Sequence, residues 1–284
     1  MSGFSAHWLA LREAPDSAAR SEVLCARLVN DLAAQRPADA PLSVIDLGAG
    51  TGANFRYAAQ RLGGAQDWLL VDQDAALLAA AEEQLAQRGA PPGCRMRPLQ
   101  LDLATALGRL PLPVAGLLTA SALLDLVSEE WLVELIGRAV AARVTVWFAL
   151  TYEGRIDCQP AEPEDAQVRE LFNRHQRTDK GFGPALGPEA APVAARMLTQ
   201  HGYHIERAPS DWCLGAEHPA LQRTLVEGWC NAACEMAPQH AAALRQWLGR
   251  RLAHIEAGRS QLQVGHVDMI GRWPSERRII RLPN

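Results

Sequence analysis

Three glycines at alternate positions and three carboxylates at the ends of apolar runs carry the densest chemical signal in this 284-residue chain. Val44-Ile45-Asp46-Leu47-Gly48-Ala49-Gly50-Thr51-Gly52 takes an apolar segment into the glycines, and Asp72 and Asp102 end two later apolar runs. Glycine has no Cβ, so a turn built from it lets backbone N–H groups approach a ligand closely. A nucleotide-like cofactor is the expected occupant. Gly48-x-Gly50-x-x-Ala53 with Asp72 about 20 residues on satisfies the dinucleotide fingerprint. An anionic pyrophosphate gains nothing from a carboxylate inside the turn, however, whereas a cofactor with a cationic reactive end gains from Asp46.

The elements that must position these groups follow from the pattern. Leu42–Leu47 reads as a buried strand and is followed by a helix from Asn54. Trp68–Val71 is a second strand ending in Asp72-Gln73-Asp74, with an Ala/Leu-rich helix over Ala75–Arg88. Leu99–Leu103 is a third strand and contains Asp102. Gly116–Ser121 is a fourth, and Arg143–Leu150 a fifth after the helix around Trp131–Ala142. Strands alternating with helices at this spacing predict a parallel sheet covered on both faces.

The string from Val44 to Gly52 resembles the nucleotide-binding turn of class I S-adenosylmethionine-dependent methyltransferases, and the order of elements over residues 42–150 is similar to that family's. The resemblance implies a Rossmann-like, seven-stranded, mostly parallel α/β sheet with helices on both faces. It also implies S-adenosylmethionine as cofactor, with S-adenosylhomocysteine as product. Asp72 would take both ribose hydroxyls, as a carboxylate with two acceptor oxygens can, and Asp102 would stand beside the adenine amine. Asp46, Gly48, Ala49, Gly50, Gln73, Leu103 and Ser121 complete the expected cofactor set. An NAD(P)-dependent oxidoreductase and a partner-binding, methyltransferase-like scaffold are the alternatives.

Composition narrows the acceptor. The net charge is −4 and the chain has no long basic run, which disfavours nucleic acid. Thr119-Ala120-Ser121-Ala122 stands where nucleic-acid amino-methylating enzymes carry Asp/Asn-Pro-Pro-Tyr, so a small-molecule acceptor is expected. No apolar run approaches the ~18 residues that span a membrane, and Met1–His7 lacks a signal-peptide pattern. Six scattered cysteines fit a reduced cytoplasmic setting. Cys230 and Cys234 lie one helical turn apart with no second close pair at ligand spacing, so they read as buried small hydrophobes and no metal site is expected. His201 and His204 read as ordinary histidines. With 48% hydrophobic residues the chain can bury one large core with a satellite helical lobe, here a single domain over residues 1–284.

Outside the cofactor half the readings rest on position. Residues 5–35 predict one or two helices broken at Pro15, with Asp16 or Ser17 capping the second, and Arg36–Pro41 reads as a linker. These helices would either form a lid, bringing Trp8 to the substrate, or only cover the sheet edge. Residues 151–188 read as a loop-rich substrate segment with a helix over Glu164–Gln176. It starts at the carboxyl edge of the sheet, where ligands of open α/β sheets bind. In it His175 is the candidate general base and Tyr152 a candidate for orienting the acceptor. Arg155, Arg174 and Lys180 are candidates for an anionic substrate group, with Arg177 nearby.

Pro188–Gly202 predicts a helix, Tyr203–Ala208 the sixth strand and Gln261–Trp273 the seventh. Between these strands lies a helical insertion over residues 218–259, broken near Pro238, where the family turns straight back. The insertion would roof the site or make a homodimer contact. Asp125 would face the transferred methyl or cap the helix containing Trp131.

Overall fold

The fold is described from a computed structural model covering residues 5–35 and 40–274. At its centre β1 (Leu42–Leu47) lies between β2 (Gln66–Asp72) and β4 (Leu117–Ser121), parallel to both. β3 (Cys94–Gln100) adds outside β2 and β5 (Thr145–Gln159) outside β4, again parallel. β8 (Gln261–Arg272) then runs antiparallel to β5 and to β6 (His204–Pro209), giving the order β3-β2-β1-β4-β5-β8-β6. A short strand, β7 (Trp212–Leu214), pairs with the other end of β8, so the sheet has eight strands where seven were expected.

Alternate residues along these strands point to opposite faces, and each face has its own core. Leu47, Val71, Ala120, Val146 and Phe148 pack against α6 (Glu129–Ala142) and α8 (Ala190–Gln200). Val44, Trp68, Leu70 and Trp147 pack on the other face against α2 (Glu22–Gln35) and α3 (Ala53–Leu62). The register pairs Leu47 with Val71 and with Ala120, and Asp72 with Gln100. The carboxyl ends of the first four strands therefore meet at one edge.

Three expectations need correction. Residues 151–159 are not loop but a continuation of β5, paired with β8 through two register shifts. Glu153-Gly154-Arg155, part of the expected loop-rich segment, lies between Tyr152 and Ile156, where the ladder shifts register, and Gly154 has φ 91°. Pro15 does not break the first helix, which runs unbroken as α1 (Ala6–Ala19). The break falls at Arg20-Ser21, and Leu24 N donates to Ser21 Oγ at 3.3 Å. Finally, Ser128 caps α6, its Oγ accepting from Trp131 N at 3.2 Å, so Asp125 is not the cap. Of the predicted linker Arg36–Pro41, residues 36–39 lie outside the described residues.

The extension of β5, together with β7 and β8, carries a third core. α7 (Asp165–Gln176), α9 (Pro219–Met236) and α10 (Ala241–Glu256) cover it with Val168, Trp229 and Trp247. The two insertion tryptophans, Trp229 and Trp247, are 3% and 1% exposed. They serve this lobe, and Trp8 and Leu11 of α1 pack against it. Cys230 is buried too, its thiol donating to Leu244 O at 3.4 Å. Among the described residues no helix is long and apolar enough to cross a membrane.

Candidate functional site

At the edge where β1, β2 and β4 end lies a cavity of about 390 Å³, within the range of small-ligand sites. It brings together all nine residues expected around a cofactor: Asp46, Gly48, Ala49, Gly50, Asp72, Gln73, Asp102, Leu103 and Ser121. The glycine turn follows β1 with Gly48, Gly50 and Gly52 at φ 61°, 53° and 78°, a region that L side chains rarely adopt. Gly50 N donates to Asp72 Oδ2 at 2.8 Å, and Asp74 N to Asp72 Oδ1 at 3.0 Å. Asp72 is thus fixed by the turn on one side and by the start of α4 (Ala75–Arg88) on the other. Each oxygen keeps a further lone pair for a ligand. Asp102 caps the short α5 (Leu103–Ala106), accepting from Ala104 N at 2.9 Å and Thr105 Oγ1 at 3.0 Å.

Asp46 is 1% exposed, and one of its oxygens, Oδ2, has no partner among the described residues. Its other oxygen accepts from Asn54 Nδ2 at 2.7 Å. Burial pushes this carboxyl up to about 7, against the pull of the Asn54 hydrogen bond and the Arg20 charge. Asn54 also donates to Thr119 Oγ1 at 3.1 Å and accepts from Arg20 Nη1 at 2.9 Å. Arg20 is sandwiched between the rings of Tyr57 and Trp147, 4.6 and 4.4 Å from their centroids, and its Nε reaches Asp268 at 3.3 Å. Neither Asn54 nor Arg20 was singled out from sequence. Asn54 opens a helix just after the glycines, which was the available signal; Arg20 comes from the joint between α1 and α2, with no local sign of where it points.

The mouth is covered from two sides. Leu9, Arg12 and Asp16 of α1 line it, and so do Asp179, Lys180 and Phe182 of the loop after α7. Arg12 Nε pairs with Asp16 at 2.8 Å, and its guanidinium lies 5.0 Å from the Trp212 ring centroid. Asp16, expected as a helix cap, takes this role because α1 runs on past it, and it also accepts from Trp212 Nε1 at 2.9 Å. Phe182 meets Trp131 edge-on at 5.4 Å, and Asp179 Oδ1 accepts from Gly181 N and Gly183 N at 2.6 and 3.1 Å. The loop is thereby pinned at its tip.

The other expected site residues fall elsewhere. Tyr152 is buried in the third core, its hydroxyl donating to Asn173 Oδ1 at 2.7 Å, and burial pushes that hydroxyl up from the usual phenol range. It does not line the cavity, because β5 continues past the sheet edge and carries it into the lobe. Arg155 is committed to Glu153 and Asp211 at 2.8 and 2.7 Å, and Arg174 is exposed on α7. Trp8 packs beside Arg12 against the lobe rather than into the cavity. His175 stands one step back from the cavity, 3.2 Å from Lys180 Nζ. Of the residues proposed for substrate or catalysis, only Lys180 reaches the wall. Asp125 is 6% exposed with Oδ1 unpartnered among the described residues, and burial pushes its carboxyl up to about 6. It too is absent from the cavity wall.

No family model matches the sequence, and the search of curated proteins returned no match. Solved structures similar in fold include a putative methyltransferase from Bacillus halodurans C-125, at 12% identity and TM-score 0.48, covering 87% of this chain and 99% of that one. Another is the geranyl diphosphate C-methyltransferase of Streptomyces coelicolor A3(2), at 13% identity and TM-score 0.46, covering 89% and 81%. A third is the cyclopropane synthase MmaA2 of Mycobacterium tuberculosis, at 11% identity and TM-score 0.46, covering 87% and 83%. Each likeness is one of fold alone.

Proposed function

We propose that this chain is an S-adenosylmethionine-dependent methyltransferase acting on a small-molecule acceptor. The observation that carries the reading is Asp46: a buried carboxylate with a free oxygen, in the wall of a cavity built on a glycine turn. A buried charge needs a partner, and a cationic group in the cavity would supply it. The fit to S-adenosylmethionine is good in kind. Asp46 would hold its ammonium, Asp72 its ribose hydroxyls and Asp102 its adenine amine, while Leu77, Leu101 and Leu103 of the cavity wall would offer apolar surface. When bound, that cofactor supplies a methyl group made electrophilic by an attached sulfonium.

The protein's own work is then binding, orientation and exclusion of water. The glycines admit the ligand to the backbone, Asn54 holds Asp46, and the α1 and Lys180 sides close the mouth. Holding an acceptor in line and dry is a large share of what such a transfer requires. The net charge of −4 and the lack of a long basic run favour a small acceptor over nucleic acid. An NAD(P) oxidoreductase is disfavoured by Asp46 and by the antiparallel β8 between β5 and β6, since dinucleotide folds continue the sheet as 3-2-1-4-5-6.

Incubation with methyl-tritiated S-adenosylmethionine and a fractionated cell extract tests the reading. Label is expected in the low-mass fraction. Label confined to protein or nucleic acid would overturn the small-molecule acceptor, and no transfer into any fraction would overturn the activity.

A further inference from the structure

Lys180 is the only lysine in the chain, and it lies in the cavity wall close to Phe182. Its Nζ is 3.0 Å from Thr178 Oγ1 and 3.2 Å from His175 Nδ1, and His175 Nε2 is 3.2 Å from Glu235 Oε2. Three elements thus build one chain of groups: the pinned loop carries Lys180, α7 carries His175, and α9 of the insertion carries Glu235. A carboxylate, an imidazole and an amine stand in one line of polar contacts ending at the cavity, each able to orient the next.

We propose that Lys180 is the general base that takes the acceptor's proton, with His175 and Glu235 as its positioning residues. This rests on the methyltransferase reading and sharpens it: the acceptor is protic, an N–H or O–H group that must lose its proton when it is methylated. Glu235 selects the tautomer with hydrogen on Nε2, which leaves Nδ1 to accept one Nζ–H. The lone pair of neutral Nζ is then free for the acceptor. As the bond from the acceptor atom to the methyl carbon forms, the carbon–sulfur bond breaks with its electron pair staying on sulfur. The acceptor's proton goes to Nζ and leaves later to solvent.

Burial shifts both Lys180 and His175 toward their neutral forms. Burial pushes Lys180 down from the ordinary lysine range against the opposing pull of Glu235. Burial pushes His175 down as well, a charge on Lys180 would push it the same way, and Glu235 again opposes. The other charged groups lining the cavity are Asp179 in the same loop, Asp46, Asp72, Asp74 and Asp102 at the strand ends, and the Arg12–Asp16 pair of α1.

The single lysine makes the test direct. Protein grown with 13C,15N-lysine has one lysine side-chain signal, absent from Lys180→Met. Its titration midpoint is expected below that of the same signal in the urea-unfolded chain, and lower still in Glu235→Gln. In the tritium-transfer assay Lys180→Met should lose about 10²–10⁴ in rate, with S-adenosylhomocysteine affinity by calorimetry held within about threefold (~0.65 kcal/mol). A midpoint equal to the unfolded one, or a Glu235→Gln midpoint that does not fall, overturns the proposal. So does a Lys180→Met variant whose affinity falls as far as its rate. Failure of the wild-type protein to bind S-adenosylhomocysteine would instead contradict the methyltransferase reading.

Discussion

Leu9 of α1 sits directly over Gly50 of the glycine turn: a Cβ built on the glycine would lie 2.9 Å from Leu9 Cδ1. The helix that covers the cavity and the turn that lines it are therefore in contact, and the space between them is set by the absence of one methyl group.

Gly50→Ala is accordingly expected to weaken S-adenosylhomocysteine binding by at least about tenfold (~1.4 kcal/mol). It should also lower unfolding stability by ~1–2 kcal/mol, because φ 53° strains any L side chain. Calorimetry and urea unfolding measure the two effects. Leu9→Ala in the same chain should recover the part due to crowding and leave the backbone strain.

Asp46 makes the protein pH-sensitive in a definite direction. Its carboxyl moves from 3.8 in an open chain to about 7 in the fold because of burial. Between those values the native state holds a proton that the unfolded state has lost, so this group's contribution to stability falls as pH rises from about 4 to about 7 and is level above. Asp46→Asn should remove that slope from a series of urea midpoints. Binding of the cationic amino-acid end of S-adenosylhomocysteine should tighten in the wild type as pH rises through about 7, and lose that dependence in the variant.

Arg20 ties the joint of the N-terminal helices to the site. Its partner Asp268 is fully buried and also accepts from Leu150 N at 2.9 Å and Ser21 N at 3.0 Å. Arg20→Met leaves that carboxylate without its counter-charge and is expected to cost ~3–5 kcal/mol, measured by urea unfolding. Because Asn54 then loses the donor on its Oδ1, affinity for S-adenosylhomocysteine should fall as well.

Exposed tryptophans in the insertion would favour its use as a homodimer contact. Trp229 and Trp247 are instead core residues, and the large hydrophobics exposed among the described residues are three scattered valines, Val23, Val114 and Val133. Light scattering is expected to give the mass of one chain.

The strand-end wall of the cavity was legible because it is local. Asp46, the glycines, Asp72 and Asp102 each sit at a strand end, and strand order alone brings strand ends together. The eighth strand was missed because Trp212–Leu214 is three residues long, too short for alternation to show. The course of residues 151–188 was not legible for a different reason. Residues 151–159 continue a strand through an irregular stretch at Gly154 instead of opening a loop, so Tyr152 is carried into the lobe and Arg155 pairs with Glu153 and Asp211. His175 and Lys180 were both noticed, yet which of them reaches the cavity depends on the direction in which α7 hands over to its loop. Asn54 and Arg20 are joined across 34 residues, a pairing that no local pattern encodes.

The central claim is the identity of the cofactor, and competitive calorimetry tests it most directly. Wild-type protein titrated with S-adenosylhomocysteine and, separately, with NAD+ should bind the first at one site per chain and give no heat with the second, and Asp46→Asn should weaken the first at pH 8. Binding of NAD+ with no response to S-adenosylhomocysteine would contradict the account.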